Sequence, residues 1–264
     1  MAAFYERIPV GHIEAGLRTG NFFDPFPEEV NRRLISQITS LHFAPTSSSV
    51  EHLQRSSVSG DIYLTGNTIV DALRLISENN LNQLYINGLD WHTQKVLLTT
   101  VHRRENWGEK IYSIANGLLR ILDENKDTSI ILPLHKNDLV RKPLQDILGK
   151  NERAFLIEPL DYQSFVSAMK HSYLVLTDSG GLQEEAPSFG KPVLVLRETT
   201  ERPEAVIAGT AKLVGTKSDV IFNEVNFLLS DEQAYKAMSI KENPFGDGFA
   251  SGKILEKCMK FLNL

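Results

Sequence analysis

A single cysteine, Cys258, in 264 residues excludes an intramolecular disulfide and a cysteine-based metal cluster, and an isolated thiol suits a reducing cytosol. Long apolar runs are also missing. No stretch approaches the roughly 20 residues needed to cross a bilayer, and Met1–Arg7 lacks the apolar core of a secretory signal. Positive charge is not in excess: the formal net charge of -5 argues against broad binding to nucleic acid or a membrane surface. Among the seven histidines, His12, His102 and His135 lack recognisable metal-ligand spacing, so no metal is expected. Internal repeats and low-complexity tracts are absent. These absences describe a soluble cytoplasmic protein. Its composition is ordinary, 42% hydrophobic and 23% charged, and its length suffices for one large or two modest domains.

What is present centres on Asp178-Ser-Gly-Gly-Leu-Gln-Glu-Glu-Ala-Pro187. It follows the apolar run Tyr173–Thr177 and precedes Gly190–Leu196, a pattern of strand, glycine turn, helix and second strand. Such a turn leaves backbone N–H groups unpaired at the helix start, where the dipole adds positive potential and favours phosphate. Glu184 and Glu185, one turn in, are of the type that accepts hydrogen bonds from sugar hydroxyls. The pattern indicates a nucleotide diphosphate site.

From Lys95 onward short β-rich runs alternate with helical segments. Strands are expected over Val96–Thr100, Ser129–Leu134, Ala154–Ile157, Tyr173–Thr177, Lys191–Leu196 and Ala211–Gly215. Helices are expected over Glu109–Asn125, Asp138–Leu148, Asp161–His171 and Ser218–Leu229. Near-continuous apolar strands between helices specify an α/β fold, a doubly wound parallel sheet covered on both faces. Asn79–Asn82 and Asn87-Gly88 read as a polar surface loop.

The first 66 residues differ. Ile8–Ile13, Leu41–Ala44 and Ile62–Thr65 are candidate strands, with a helix over Pro27–Thr39 in which Glu29 and Arg33 pair at i,i+4 spacing. Three strands and one helix make a poor independent domain. The segment therefore reads as the back half of a second doubly wound domain, preceded by the last turns of a helix in Ala2–Arg7.

Several clusters carry candidate chemistry at strand ends, where ligands gather in open α/β sheets. Glu14 sits in Gly11–Arg18 between glycines, and its structural and functional readings weigh equally. Glu28 and Glu29 follow Pro27, suited to the first helical position, and read first as compensation of the helix dipole. His102 and Arg103 follow the first large-domain strand and suit acid–base work and phosphate contact, while Arg104 and Glu105 read as surface charges. His135 repeats the strand-end histidine more weakly, and His52, His92 and His171 carry no special reading. Arg197–Glu204 reads as a charged surface loop in which Arg202, before Pro203 at a helix start, is best placed to meet an anion. Phe165 reads as core packing or a base-stacking platform.

Together these segments resemble the non-hydrolysing UDP-N-acetylglucosamine 2-epimerases. The motifs are Gly11–Thr19, Pro27–Arg32, Gly66–Thr68, His102–Glu105, Asp178–Pro187 and Thr199–Glu204, in matching order over essentially the whole chain. The resemblance implies the two-domain glycosyltransferase-B fold. It assigns 1–66 to an incomplete N-terminal Rossmann-like domain, 67–246 to the UDP-binding domain, and 247–264 to a C-terminal helix, roughly Ser251–Leu264, packing back toward the first domain. It implies catalytic roles for Glu14, Glu28 and His102. Ser179, Gly180 and Gly181 match the diphosphate turn, Glu185 the ribose carboxylate, Leu160 and Phe165 the uracil pocket, and Arg202 a further UDP contact. Arg103 and His135 match positions lining a site for a second UDP-N-acetylglucosamine, an activator.

The implied reaction inverts C2 of UDP-N-acetylglucosamine to give UDP-N-acetylmannosamine, a precursor for cell-surface polysaccharide, through elimination of UDP and re-addition to 2-acetamidoglucal. It needs no cofactor. A homodimer, or a complex with a separate N-terminal polypeptide, is the implied assembly. Family members carry about a hundred further residues at the N-terminus, the size of half a domain to one domain, so weak turnover by these 264 residues alone is expected. The rival readings are a non-catalytic UDP-sugar-binding fragment and a glycosyltransferase of the same fold.

Overall fold

The structure, a computed structural model, describes residues 1–23, 26–78, 81–239 and 242–264. Asn79 and Asn80 of the expected polar loop lie outside them. The chain forms two compact units, Met1–Leu75 with Pro244–Leu264, and Ile76–Asn243.

In the first unit a single helical turn, α1 (Ala2–Tyr5), leads to β1 (Gly11–Ile13), α2 (Glu28–Gln37), β2 (Leu41–Ala44), α3 (Ser47–Arg55), β3 (Asp61–Leu64) and α4 (Thr68–Glu78). The strands are parallel in the order β1-β2-β3, and His12 stands opposite His42. β1 is shorter than the expected Ile8–Ile13, since Pro9 has no N–H to give a ladder and the Ile8 N–H bonds to Ala3 O instead. Helix α2 starts at Glu28 with Pro27 as its N-cap, one residue later than expected. The sequence reading had no place for α3. Its serine-rich start is a poor helix former that becomes a helix end, because the Thr46 hydroxyl caps the Ser49 N–H at 3.2 Å.

In the second unit come β4 (Lys95–Thr100), α5 (Glu109–Glu124), β5 (Thr128–Pro133), α6 (Asp138–Leu148), β6 (Ala154–Ile157), α7 (Tyr162–His171) and β7 (Leu174–Thr177). They are followed by α8 (Gly180–Glu185), β8 (Val193–Val195), α9 (Pro203–Ala208), β9 (Ala211–Leu213), α10 (Ser218–Ser230) and α11 (Glu232–Ser239). The expected strands and helices are recovered within a few residues; α11 had no counterpart. All six strands are parallel, in the order β6-β5-β4-β7-β8-β9. On α5, Ile111, Ile114, Ala115, Leu118, Ile121 and Leu122 are fully buried, the 3.6-residue stripe of a helix laid on a sheet. The sheet order reverses between β4 and β7, which creates the switch point where α/β sheets take ligands.

The last helix, α12 (Ala250–Phe261), belongs to the first unit. Leu41 and Phe43 of β2 pack with Ile254 of α12, while Ala44, from the other side of the pleat, packs with Leu53 of α3; alternation along the strand thus covers both faces of the sheet. The Asp71 carboxylate on α4 accepts from the Ala250 and Ser251 N–H groups at 2.9 and 2.7 Å, and Arg74 Nε donates to Gly248 O at 2.9 Å. These bonds draw most of α4 into the first unit. The compact units thus meet along the chain after Leu75 and after Asn243. Among the described residues, no helix is long and apolar enough to cross a membrane.

Candidate functional site

Asp178 organises the switch point of the second unit. It is fully buried at the end of β7, and one carboxylate oxygen accepts from the backbone N–H of His102 and of Arg103, both at 2.9 Å. The same oxygen takes Asn106 Nδ2 at 3.0 Å, and the other lies 3.2 Å from His102 Nδ1. The loop after β4 is thus tied to the loop after β7 through one buried anion, and its donors satisfy a charge that burial would otherwise penalise. Thr100 and Thr177 share a hydroxyl–hydroxyl bond of 2.6 Å, and Thr177 Oγ1 accepts from Ser179 N at 2.9 Å.

The half-exposed Ser179 is the N-cap of α8, and its side chain makes no capping bond. A Cβ on Gly180 would stand 3.5 Å from Arg103 Nη2, and one on Gly181 would meet only Ser179 Oγ, at 3.9 Å. The Arg103 guanidinium therefore stands over the glycine turn. It also lies 3.5 Å from the Glu201 carboxylate. The His102 and His135 rings are brought together, their centroids 6.4 Å apart.

The paired carboxylates of α8 part company. Glu184 forms an ion pair with Arg202, so the cation expected to meet an anion is engaged by the helix itself. Glu185 is buried and accepts from Tyr162 Oη at 3.2 Å. Burial raises the Glu185 pKa against the opposing effect of that hydrogen bond, and Tyr162 is raised by burial and then by the Glu185 charge. Leu160 and Phe165, at and just after the capped start of α7, are half-buried. Tyr162 had no sequence signal beyond its neighbours.

The run Arg197–Glu204 is not the expected surface loop. Arg197 and Glu201 are buried. Arg197 Nη1 meets Glu201 at 2.6 Å and its Nε meets Glu105 at 2.5 Å. Glu105 is consequently the partner of a buried cation, whereas Arg104 is exposed, as expected. Burial opposes both charges of the Arg197–Glu201 pair, but hydrogen bonding and mutual attraction outweigh it, holding Glu201 below its ordinary pKa and Arg197 above. Charge-rich composition gave no signal of this, because burial depends on long-range pairing.

In the first unit Glu14 directly follows β1, exposed and in the left-handed region at φ 61°. Gly16 follows at φ +89°, where a Cβ would stand 2.2 Å from Ser49 O, so only glycine fits. His52 is more than a polar bystander, since its Nδ1 holds Gly16 O at 3.0 Å. Glu28 and Glu29 separate as well. Glu28 is exposed, while Glu29 is fully buried and accepts from Thr19 N at 3.0 Å and Arg33 Nε at 2.8 Å. Burial works to raise Glu29, and those bonds outweigh it, leaving its pKa lowered. Helix-dipole compensation therefore does not describe Glu29. His12 is held neutral, its pKa lowered to about 4 by burial, then by His42, Arg18 and Arg32. Among the described residues no group of three or more His, Cys, Asp or Glu is placed to hold a metal.

The sequence profile of the UDP-N-acetylglucosamine 2-epimerases matches residues 1–259. The chain belongs to this family. It is 48% identical over 268 residues to the UDP-N-acetylglucosamine 2-epimerase of Escherichia coli K12, covering 97% of this chain and 70% of that protein. The structure of the Neisseria meningitidis enzyme bound to UDP-GlcNAc superposes with a TM-score of 0.91 at 47% identity, over 98% of this chain and 72% of that one. The S. aureus MnaA–UDP co-structure gives 0.94 at 46%, over 100% and 72%. As a 2-epimerase-family chain, this protein carries two parallel sheets, of three and six strands, and shares the glycosyltransferase-B-like α/β fold of those structures.

Proposed function

We propose that the protein is a non-hydrolysing epimerase that interconverts UDP-N-acetylglucosamine and UDP-N-acetylmannosamine. The observation that carries this is the Asp178-centred switch point, with its open glycine turn and the Arg103 guanidinium beside it, in a chain of the 2-epimerase family. Relatives at 47% and 46% identity carry UDP-GlcNAc and UDP.

In this reading Ser179, Gly180 and Gly181 bind the diphosphate through backbone N–H groups. Glu185 accepts from the ribose, Leu160 and Phe165 flank the uracil, and Arg202 is a further UDP contact that must share its guanidinium with Glu184. Glu14 or Glu28 removes the C2 proton while the C1–O bond breaks, leaving UDP and 2-acetamidoglucal. UDP then adds back at C1 as a proton returns to the opposite face of C2. His102, held by Asp178, serves as an acid–base group, and arginine stabilises the charge that develops on departing UDP. Arg103 and His135 are also the residues assigned to a second, activating UDP-N-acetylglucosamine. The proposal extends to a cytoplasmic, homodimeric enzyme feeding polysaccharide precursor synthesis.

Calorimetry with UDP and NMR of UDP-N-acetylglucosamine in deuterated buffer test the reading. UDP should bind, Gly181→Val should abolish that binding, and deuterium should enter C2. No binding of UDP overturns the proposal. Tight UDP binding with no exchange identifies a non-catalytic binder, and sugar transfer to an acceptor identifies a glycosyltransferase.

A further inference from the structure

The first unit contains a cavity of about 310 Å³ lined by Arg18, Arg33, Arg55 and His52, with Thr19 and Ser56 at its wall. Three arginines contribute to its wall from three separate segments: the loop after β1, α2 and α3. Charges of one sign gathered around a concave space repel each other, and the carboxylates paired with Arg33 and Arg55 offset this only in part.

Two carboxylates stand at the edge, and both are committed. Glu29 is fully buried and divides its oxygens between Arg33 Nε and Thr19 N. Glu51 meets Arg55 at 3.1 Å on an exposed helix face, where the side chains are 58% and 75% accessible, and such a pair is weak. Arg18 has no carboxylate of its own among the described residues. Its Nη1 donates to Leu17 O at 2.9 Å and its Nη2 to Ser36 Oγ at 3.1 Å. Its Nε is buried without any partner, a donor whose desolvation nothing in the protein offsets. Burial lowers the Arg18 pKa; Glu29 opposes this, and Arg33 and Arg32 add to it.

From this geometry we infer that the cavity is a binding site for a small multivalent oxyanion of the phosphate class, separate from the nucleotide site of the second unit. Guanidinium forks match phosphate oxygens two at a time, which a halide cannot exploit. The volume, at the lower end of the roughly 300–1,000 Å³ of pockets that bury drug-sized ligands, suits phosphate or diphosphate better than a whole nucleotide sugar. An occupant would meet Arg33 and Arg18 beside Glu29, and His52, whose Nδ1 already fixes Gly16 O. It would therefore brace the turn that carries Glu14.

Hydrogen–deuterium exchange of the full chain, with inorganic phosphate or diphosphate in separate arms and sodium chloride at matched ionic strength, tests the site. Slower exchange is expected over 18–20 and 47–56, diphosphate acting at the lower concentration. Arg55 lies on an exposed face and its change should leave folding intact, so Arg55→Glu should weaken the effect at least ~10-fold by reversing one of three charges. UDP affinity, read by calorimetry, should not move, which separates this site from the proposed nucleotide site. Equal protection by sodium chloride, protection confined to 178–182, or an unchanged response in Arg55→Glu would each overturn the assignment.

Discussion

The buried carboxylate of Asp178 holds His102 twice, at its backbone N–H and at its imidazole Nδ1. A carboxylate in this position fixes both where the ring stands and which nitrogen faces inward, leaving Nε2 as the nitrogen free to exchange a proton. Asp178→Asn turns one acceptor oxygen into a donor facing the same N–H groups. It should cost about 1–3 kcal/mol of stability, measured by urea unfolding. C2 exchange should fall further than UDP affinity; equal losses in both would show that Asp178 does no more than hold the loop.

Arg197 neutralises Glu201 inside the second unit and reaches out to Glu105. Arg197→Met leaves the buried Glu201 with only the more distant Arg103 guanidinium, at 3.5 Å, and should destabilise by roughly 3 kcal/mol, while the double change with Glu201→Gln should recover part of that loss. A single mutant as stable as the parent would contradict a buried ion pair.

Glu14 occupies a left-handed conformation that an L side chain adopts at a cost. Glu14→Gly should therefore stabilise the protein by about 1 kcal/mol while eliminating C2 exchange. Thermal unfolding and NMR on the same sample read both effects, and a destabilised variant would show that the glutamate side chain makes a compensating contact.

Acid stability should fall in two windows. The folded His12 pKa, about 4, lies below its ordinary 6.5, so the unfolded chain takes up the proton first as pH falls. Stability is lost progressively from pH 6.5 toward 4, on the order of 3 kcal/mol for that shift, and His12→Phe should flatten this limb. Glu29 and Glu201, both lowered, give stability that is full above the ordinary carboxylate pKa and lost as pH drops through their folded values. Urea titrations across pH 3–7 separate the two limbs.

Glu185 shows the opposite sign, its folded pKa raised by burial. Its charged form is disfavoured by folding above that pKa, so Glu185→Gln should be more stable at neutral pH. Loss of a charged acceptor should weaken UDP roughly tenfold or more. Unfolding and calorimetry at pH 7.5 check the pair of effects.

The sequence by itself determined the alternation of strands and helices from β4 onward, because apolar period is a local property that burial on a sheet enforces. It also determined the family, since Gly11–Thr19 and Asp178–Pro187 combine glycines, carboxylates and order that chance does not assemble. Tertiary structure decided which charges are buried and which meet across distant segments. Adjacent residues such as Glu28 and Glu29, or Glu184 and Glu185, are nearly the same in composition. One of each pair is committed to an arginine: Arg33 for Glu29, at the i,i+4 spacing already visible in the sequence, and Arg202 for Glu184, which no spacing marked. The partnership of Arg197 with Glu105, 92 residues away, and the convergence of Arg18, Arg33 and Arg55 on one cavity were equally hidden. Pairing of charges between distant segments is settled by which segments the fold places side by side, and no periodicity along the chain records it.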